Sequence, residues 1–287
     1  MKPDQVDCVA IVRPFARGPE SEFHLALRSQ FPQAEIVVVE HHLAHAASAF
    51  YASPFDHATV LTLDRAGDFC CGARWNASGN QLHAEKEWYY PDSLGRLYGA
   101  VTELLGFHAD ADEHKVQWLS TYGDDRYAGL FREIVSDSAR LDPSFFDGHQ
   151  ITGGFSAKFF EKIDLADGAK IPKEMAPHLA RGLQRAIEEV ALVLAGSGEN
   201  LCLAGGLFYN ALLVDFLERC GRWKNVFVQG AAGNAGTALG AVFHVWHQVQ
   251  KNARHSGTGS MFLGPSYGSE DIKQVLENCK LQHVANI

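Results

Sequence analysis

The hydrophobic pattern divides the chain into short stretches that switch between strand and helix periods. Val6-Asp7-Cys8-Val9-Ala10-Ile11-Val12 reads as a strand, residues 21–31 as a helix, Ile36-Val37-Val38-Val39 as a buried strand and residues 42–51 as an Ala-rich helix. Three β runs follow over residues 58–63, 69–75 and 81–89, joined by Gly-containing turns such as Ala77-Ser78-Gly79-Asn80. That is the pattern of a meander. From Leu94 the period turns helical through Leu105, with Gly106 as its stop. Residues 112–167 mix signals, broken by Pro143, Gly148 and Gly153-Gly154, and residues 177–194 form a long helical stretch.

The last part alternates strand and helix. Asn200-Leu201-Cys202-Leu203-Ala204 delivers Gly205-Gly206 into a helix over 210–219. Val226-Phe227-Val228-Gln229 delivers Gly230-Ala231-Ala232-Gly233-Asn234-Ala235-Gly236 into a helix over 237–250. The order is βββαβα-like, with Gly-rich turns after strands and before helices. Amides freed by glycine, together with a helix N-terminus, make an anion cradle. The alternative is that these glycines serve only tight packing turns. No internal repeat or low-complexity segment interrupts the chain.

Candidate chemistry sits at the second strand-to-helix junction, in Val39-Glu40-His41-His42-Leu43-Ala44-His45-Ala46. His41 and His45, four apart, share one face of a helix and can share a cation. Nineteen residues after His45, Asp64 and Asp68 lie where the apolar strand over 58–63 is expected to give way to a Gly turn. A carboxylate there can reach a metal or a metal-bound phosphate. The same spacing also arises as an incidental surface pair. The spacing argues against a metalloprotease, because no glutamate base stands between the histidines as in His-Glu-x-x-His.

At 287 residues the chain has room for one large α/β domain or two lobes. Its net charge of −9, from 25 Lys+Arg against 34 Asp+Glu, argues against a broad nucleic-acid footprint but not against a nucleotide. No apolar run approaches the roughly 20 residues of a membrane span, and residues 1–7 show no secretory apolar core, so a cytoplasmic location is expected. The six cysteines, Cys8, Cys70, Cys71, Cys202, Cys220 and Cys279, show no CxxC spacing and are expected as buried free thiols.

The ordered set of motifs resembles the O-carbamoyltransferases of the nodulation and cephamycin type, the NodU/CmcH family. It runs from Glu40-His41-His42-Leu43-Ala44-His45-Ala46 and Ser53-Pro54-Phe55 through Thr62-Leu63-Asp64 and Ser93-Leu94-Gly95 with Tyr98. It continues through Leu105-Gly106-Phe107, Glu113-His114-Lys115-Val116, Tyr122-Gly123, Leu203-Ala204-Gly205-Gly206 with Asn210, and Gln229 with Ala231-Ala232-Gly233. Gly236-Thr237-Ala238-Leu239-Gly240-Ala241 and Phe262-Leu263-Gly264-Pro265 close it, so the resemblance covers about residues 4–280.

The resemblance implies an α/β, actin/sugar-kinase-like two-lobed fold similar to the tRNA threonylcarbamoyl transferase. Residues 1–57 are expected as a partial first lobe, 58–264 as the second lobe with the nucleotide turns, and 265–287 as the start of a linker or terminal helix. Such enzymes make a carbamoyl-adenylate from carbamoyl phosphate and ATP, then pass the carbamoyl group to a hydroxyl over a nucleotide-bound divalent metal. By position His41, His45 and Asp64 match metal ligands, and Asn234 stands where the family's fourth ligand is an aspartate. Asp64, Gly67, Gly205, Gly206, Asn210, Gly233 and Gly236 are the expected cofactor-binding residues, and His42, Asp68 and Lys115 the catalytic candidates. The cofactors implied are ATP or carbamoyl-adenylate and Fe, Mn, Zn or Mg, the donor set favouring Fe, Mn, Zn or Co.

Departures accompany the match. Arg65 replaces Gly, Trp118 a small residue, Gly230 Pro and Val214 Asn. A guanidinium at Arg65, beside Asp64, is expected to compete with a cation. The family also carries a preceding strand, a phosphate-facing loop and a His-Asp-Ala/Ser turn, and a following adenylate-forming domain. The chain is therefore expected to be a fragment, a split subunit or a derived protein. The expected partners are a small-molecule hydroxyl acceptor, of natural-product type, and a separate adenylate-forming domain or subunit, with neither nucleic acid nor membrane; a homodimer is one option for its assembly. The alternative function is a non-catalytic nucleotide- or partner-binding protein on the same fold.

Overall fold

The computed structural model describes residues 2–12, 20–254 and 264–279. In chain order these form β1 (Cys8–Val12), α1 (Glu20–Gln30), β2 (Glu35–Val39), α2 (His41–Ala52), β3 (His57–Gly67), β4 (Cys70–Ser78), β5 (Gln81–Tyr89) and α3 (Leu94–Leu104). Then come α4 (Glu113–Ser120), α5 (Ala128–Ile134), α6 (Ala157–Lys162), α7 (Ala176–Ala195), β6 (Asn200–Ala204), α8 (Ala211–Arg219), β7 (Asn225–Val228) and α9 (Ala235–Phe243). Met1–Gly257 forms one unit, and Thr258–Ile287 a second whose described helix is α10 (Ser269–Asn278). Phe262 and Leu263 of the closing motif lie outside the described residues.

The main sheet has the order β5-β4-β3-β6-β7. β3, β4 and β5 pair antiparallel as a meander, while β6 and β7 add in parallel on the other edge of β3 through helical crossovers. This is the expected βββαβα arrangement. β1 and β2 form a separate parallel pair, and Val39 packs with Ala44, Ala241 and Val245 in a small cluster of its own.

Period-2 alternation along β3 decides which chemistry faces which layer. Leu61 and Leu63 join the large core beneath α3 and α7, whereas Ala58 and Val60 pack with Ala46, Ala47 and Phe50 of α2. Along α7, Leu179, Leu183, Ile187, Val190 and Leu194 form a buried stripe at helical spacing. Full burial of each such side chain contributes roughly 1.5–3 kcal/mol.

Three expectations need correction. β3 does not end at Leu63 but continues to Gly67 through a register shift, so Asp64 stands inside the strand at a bulge. The helix expected over 237–250 is α-helical only to Phe243 and continues as a π-turn over His244–Val249. Of the six free thiols only Cys70, Cys71 and Cys202 are buried; Cys8 and Cys220 are partly open and Cys279 is exposed. Cys70 and Cys71 are both enclosed because this sheet is covered on both faces. Residues 112–167, unreadable by period, are short helices and turns that supply Phe145, Phe155 and Phe159 to the core.

Candidate metal and nucleotide site

The site is built from the first turn of α2 and the bulged end of β3. Glu40 caps α2, its carboxylate accepting from the backbone N–H groups of His42 and Leu43 at 2.8 and 2.6 Å. The helix is rich in alanine, which lets it lie close on the sheet and holds His41 and His45 in line.

His41 Nε2 and His45 Nε2 stand 3.1 and 3.0 Å from the same Asp64 oxygen, Oδ2, and 3.1 Å from each other. The other oxygen, Oδ1, accepts the backbone N–H of Arg65 at 2.7 Å. Burial opposes ionisation of Asp64, but the bonds from His41 and His45, the charge of His45 and the Arg65 N–H outweigh it and hold the carboxyl well below the usual range. Within this triangle two imidazole nitrogens and a carboxylate oxygen converge on one point. Protons cannot satisfy every pair, since an N–H shared with Asp64 leaves the imidazole lone pairs competing for it. A cation accepts all three lone pairs at once, so the donor set fits a divalent metal. The His45 side chain is fully buried, and the cluster reaches solvent along His41 and Asp64, whose side chains are 15% and 12% exposed.

His42 is not brought to this point. Its ring turns to the sheet, where Nε2 donates to the Cys70 carbonyl at 3.1 Å and Nδ1 accepts from the Thr62 hydroxyl at 2.9 Å. Burial, with the neighbouring His41 and His45, pulls its pKa down to about 3. Both nitrogens are committed and the ring is fully buried, so the structure gives His42 a positioning role on α2. Thr62, present in the Thr62-Leu63-Asp64 motif but not among the expected site residues, is therefore part of the site's support.

The expectation for Arg65 is overturned by strand geometry. Adjacent strand residues point to opposite faces, so Asp64 turns to α2 and Arg65 to α3. The Arg65 guanidinium pairs with Asp110, on the far side of the strand from the cluster. Ser93, the N-cap of α3, donates to the Arg65 carbonyl at 2.6 Å and pins this end of β3.

The glycine turns close the site from the other edge. A β-carbon on Gly206 would come within 3.0 Å of Asp64 Oδ1, and one on Gly67 would fall inside the His41 ring. Gly205 has φ +103°, and its amide donates to the Ala232 carbonyl at 2.7 Å, tying the two Gly-rich turns together. Gly233 packs against Tyr209 and Gly236 against the Ala231 carbonyl. Asn210 is buried as the cap of α8, accepting from Leu213 N–H and donating to Gln184, which also donates to Glu188.

Asn234 is exposed at the start of α9 and makes no side-chain cap. Gly240 of α9 packs on the Ala44 carbonyl, and seven residues on, His247 stacks on Tyr51 at 4.7 Å. The two helices therefore run in the same direction, and the N-terminus of α9 falls at the His41 end of α2. Asp68 sits in the β3–β4 turn at φ 54°, with a buried Oδ1 that has no hydrogen-bond partner among the described residues. Lys115, on α4, pairs with Asp112 at 2.8 Å. Between α4, α7 and α8 lies a cavity of about 600 Å³ lined by Ser120, Arg181, Arg185, Glu188, Leu212 and Phe216. That Arg181 and Arg185 line a cavity was not legible, because on the sequence they are ordinary polar positions of a helix.

Among the described residues, no helix is long and apolar enough to cross a membrane. The uncharacterized protein sll1178 of Synechocystis sp. is 36% identical over 264 residues, covering 85% of this chain and 43% of that protein. Nodulation protein NolNO of Sinorhizobium fredii is 32% identical over 245 residues, covering 83% of this chain and 35% of that protein. The chain thus spans less than half the length of these relatives. Among solved structures, component A of (R)-2-hydroxyglutaryl-CoA dehydratase from Acidaminococcus fermentans is similar at a TM-score of 0.48 and 14% identity, covering 76% of this chain and 72% of that one. HypF of T. kodakarensis follows at 0.47 and 13%, covering 83% and 40%. The profile of the carbamoyltransferase N-terminus matches residues 21–243, and the chain belongs to that family.

Proposed function

We propose that this chain carries the transfer step of an O-carbamoyltransferase, moving a carbamoyl group from a carbamoyl-adenylate to a hydroxyl of a small, natural-product-type acceptor. The observation that carries the reading is the convergence of His41, His45 and Asp64 on one point beside the Gly205-Gly206 turn. Family membership supports it. A divalent metal held by His41, His45 and Asp64, with Asn234 as an amide-oxygen donor, would neutralise charge on the leaving phosphate.

The chain's own residues do the rest. The amides of Gly206 and of Gly233, Asn234 and Ala235 at the N-terminus of α9 receive the phosphate of the donor. The cavity between α4, α7 and α8 gives the nucleoside room beside the Asn210 cap. Asp68 takes the proton of the attacking hydroxyl as the carbamoyl carbon bonds to that oxygen and releases AMP; His42, with both nitrogens committed, does not. Lys115 is assigned to the leaving phosphate, for which it exchanges Asp112.

The test is AMP release from carbamoyl-adenylate by the full chain, with manganese or ferrous ion and a simple polyol as acceptor. Carbamoylated polyol and AMP in equal amounts are expected, with the rate falling in Asp64→Asn. AMP formation at the uncatalysed rate under every metal condition would overturn the reading.

A further inference from the structure

The alternation that sends Asp64 to α2 sends Arg65 into a different cavity. This space, about 310 Å³, lies between the end of β3, one face of α3 and the turn over residues 151–155. Arg65, Arg96 and Glu103 supply its charged groups, and Ile151, Thr152 and Phe155 close the opposite wall. Arg96 and Glu103 sit seven apart on α3, two turns of the same face.

The two arginines differ in what they already hold. Arg65 is 39% exposed and gives one terminal nitrogen, Nη1, to Asp110, itself 67% exposed. Among the described residues the rest of its donor fork has no partner. Arg96 is half-buried and stacks over the Tyr90 ring at 5.3 Å, yet among the described residues it forms no ion pair, and its Nε is buried without a partner. A guanidinium withdrawn from water and left without an anion costs stability. Glu103 is exposed at the rim, where water satisfies it. The lining is therefore short of one anion at Arg96, in a space large enough to admit one.

We propose that this cavity binds the oxyanion of a small molecule, a phosphate or a carboxylate, between Arg96 and Arg65. The planar fork of arginine suits both anions, and stacking on Tyr90 fixes the Arg96 plane before the ligand arrives. Neither position belongs to the residues assigned to metal or nucleotide, and the proposal rests on this cavity alone, independently of carbamoyl transfer.

The test is titration of the full chain with inorganic phosphate and, separately, with succinate, at low ionic strength and with EDTA present, followed by calorimetry. Saturable binding of at least one anion is expected, weakened about tenfold or more by Arg96→Gln and by Arg65→Gln. Arg96→Lys should recover part of it, and His45→Ala should leave it unchanged. The stronger of the two anions identifies the source as a phosphate compound or an organic acid. Circular dichroism melting checks that the variants fold; Arg65 lies partly at the surface, so Arg65→Gln decides if Arg96→Gln does not. Absence of saturable binding of both anions, binding by both Arg→Gln variants as tight as that of the parent chain, or loss in His45→Ala instead would each overturn the proposal.

Discussion

The His41 imidazole lies directly against the backbone of Gly67, in the space a side chain there would fill. The ligand from α2 is thus seated on the end of the strand that carries Asp64, and the bulge in β3 brings that end under the helix.

Gly67→Ala is accordingly expected to displace the His41 ring while leaving the core intact. Divalent-metal affinity, measured by competition with a chromophoric chelator, should fall about 10–100-fold, the loss typical of disturbed ligand orientation. The unfolding midpoint in urea should shift little. Unchanged affinity would mean that His41 does not bind the ion.

Removal of a ligand itself should act more strongly. His45→Ala is expected to leave purified protein without bound transition metal by elemental analysis and without thermal stabilisation on adding manganese or zinc. Asn234→Asp adds a carboxylate at the start of α9 and should tighten binding, by about tenfold on the scale of one favourable charge. If His41→Ala and His45→Ala both retain metal, the histidines are structural.

Gly205 has no freedom to change. At φ +103° any other residue is strained, and a β-carbon would overlap the Leu63 carbonyl. Gly205→Ala is predicted to cost roughly 2–4 kcal/mol in urea unfolding, combining backbone strain with overpacking against β3. A cost within experimental error would show that the turn relaxes freely.

Alkaline stability should report on Cys202. Burial in the core raises its thiol to about 12 from the ordinary 9.0. The folded state therefore keeps the proton longer than the unfolded chain, so this contribution is complete below pH 9 and is lost as pH rises toward 12. Near pH 10.5 the loss is about 2 kcal/mol, from one and a half units at 1.36 kcal/mol each. Cys202→Ala should flatten the fall in unfolding free energy between pH 9 and 11 relative to the parent chain. Parallel curves would place the alkaline loss elsewhere.

The sequence by itself determined the elements that repeat a simple period. The meander, β6, α7 and the helix after Asn210 were legible because apolar positions at spacings of two or of three and four report burial directly. The pairing of His41 with His45 was legible for the same reason, being local to one helix, and the motif order identified the family. Tertiary structure alone decided what those residues face. His42 and Arg65 both carry chemistry on paper, yet strand and helix direction turned one into the sheet and the other to the opposite cavity. The continuation of β3 past Leu63 could not be read, since Asp64, Arg65 and Gly67 break the apolar period while the strand goes on through a bulge. The meeting of Asp64 with two histidines about twenty residues upstream follows from packing α2 across β3, a long-range contact that no local pattern encodes.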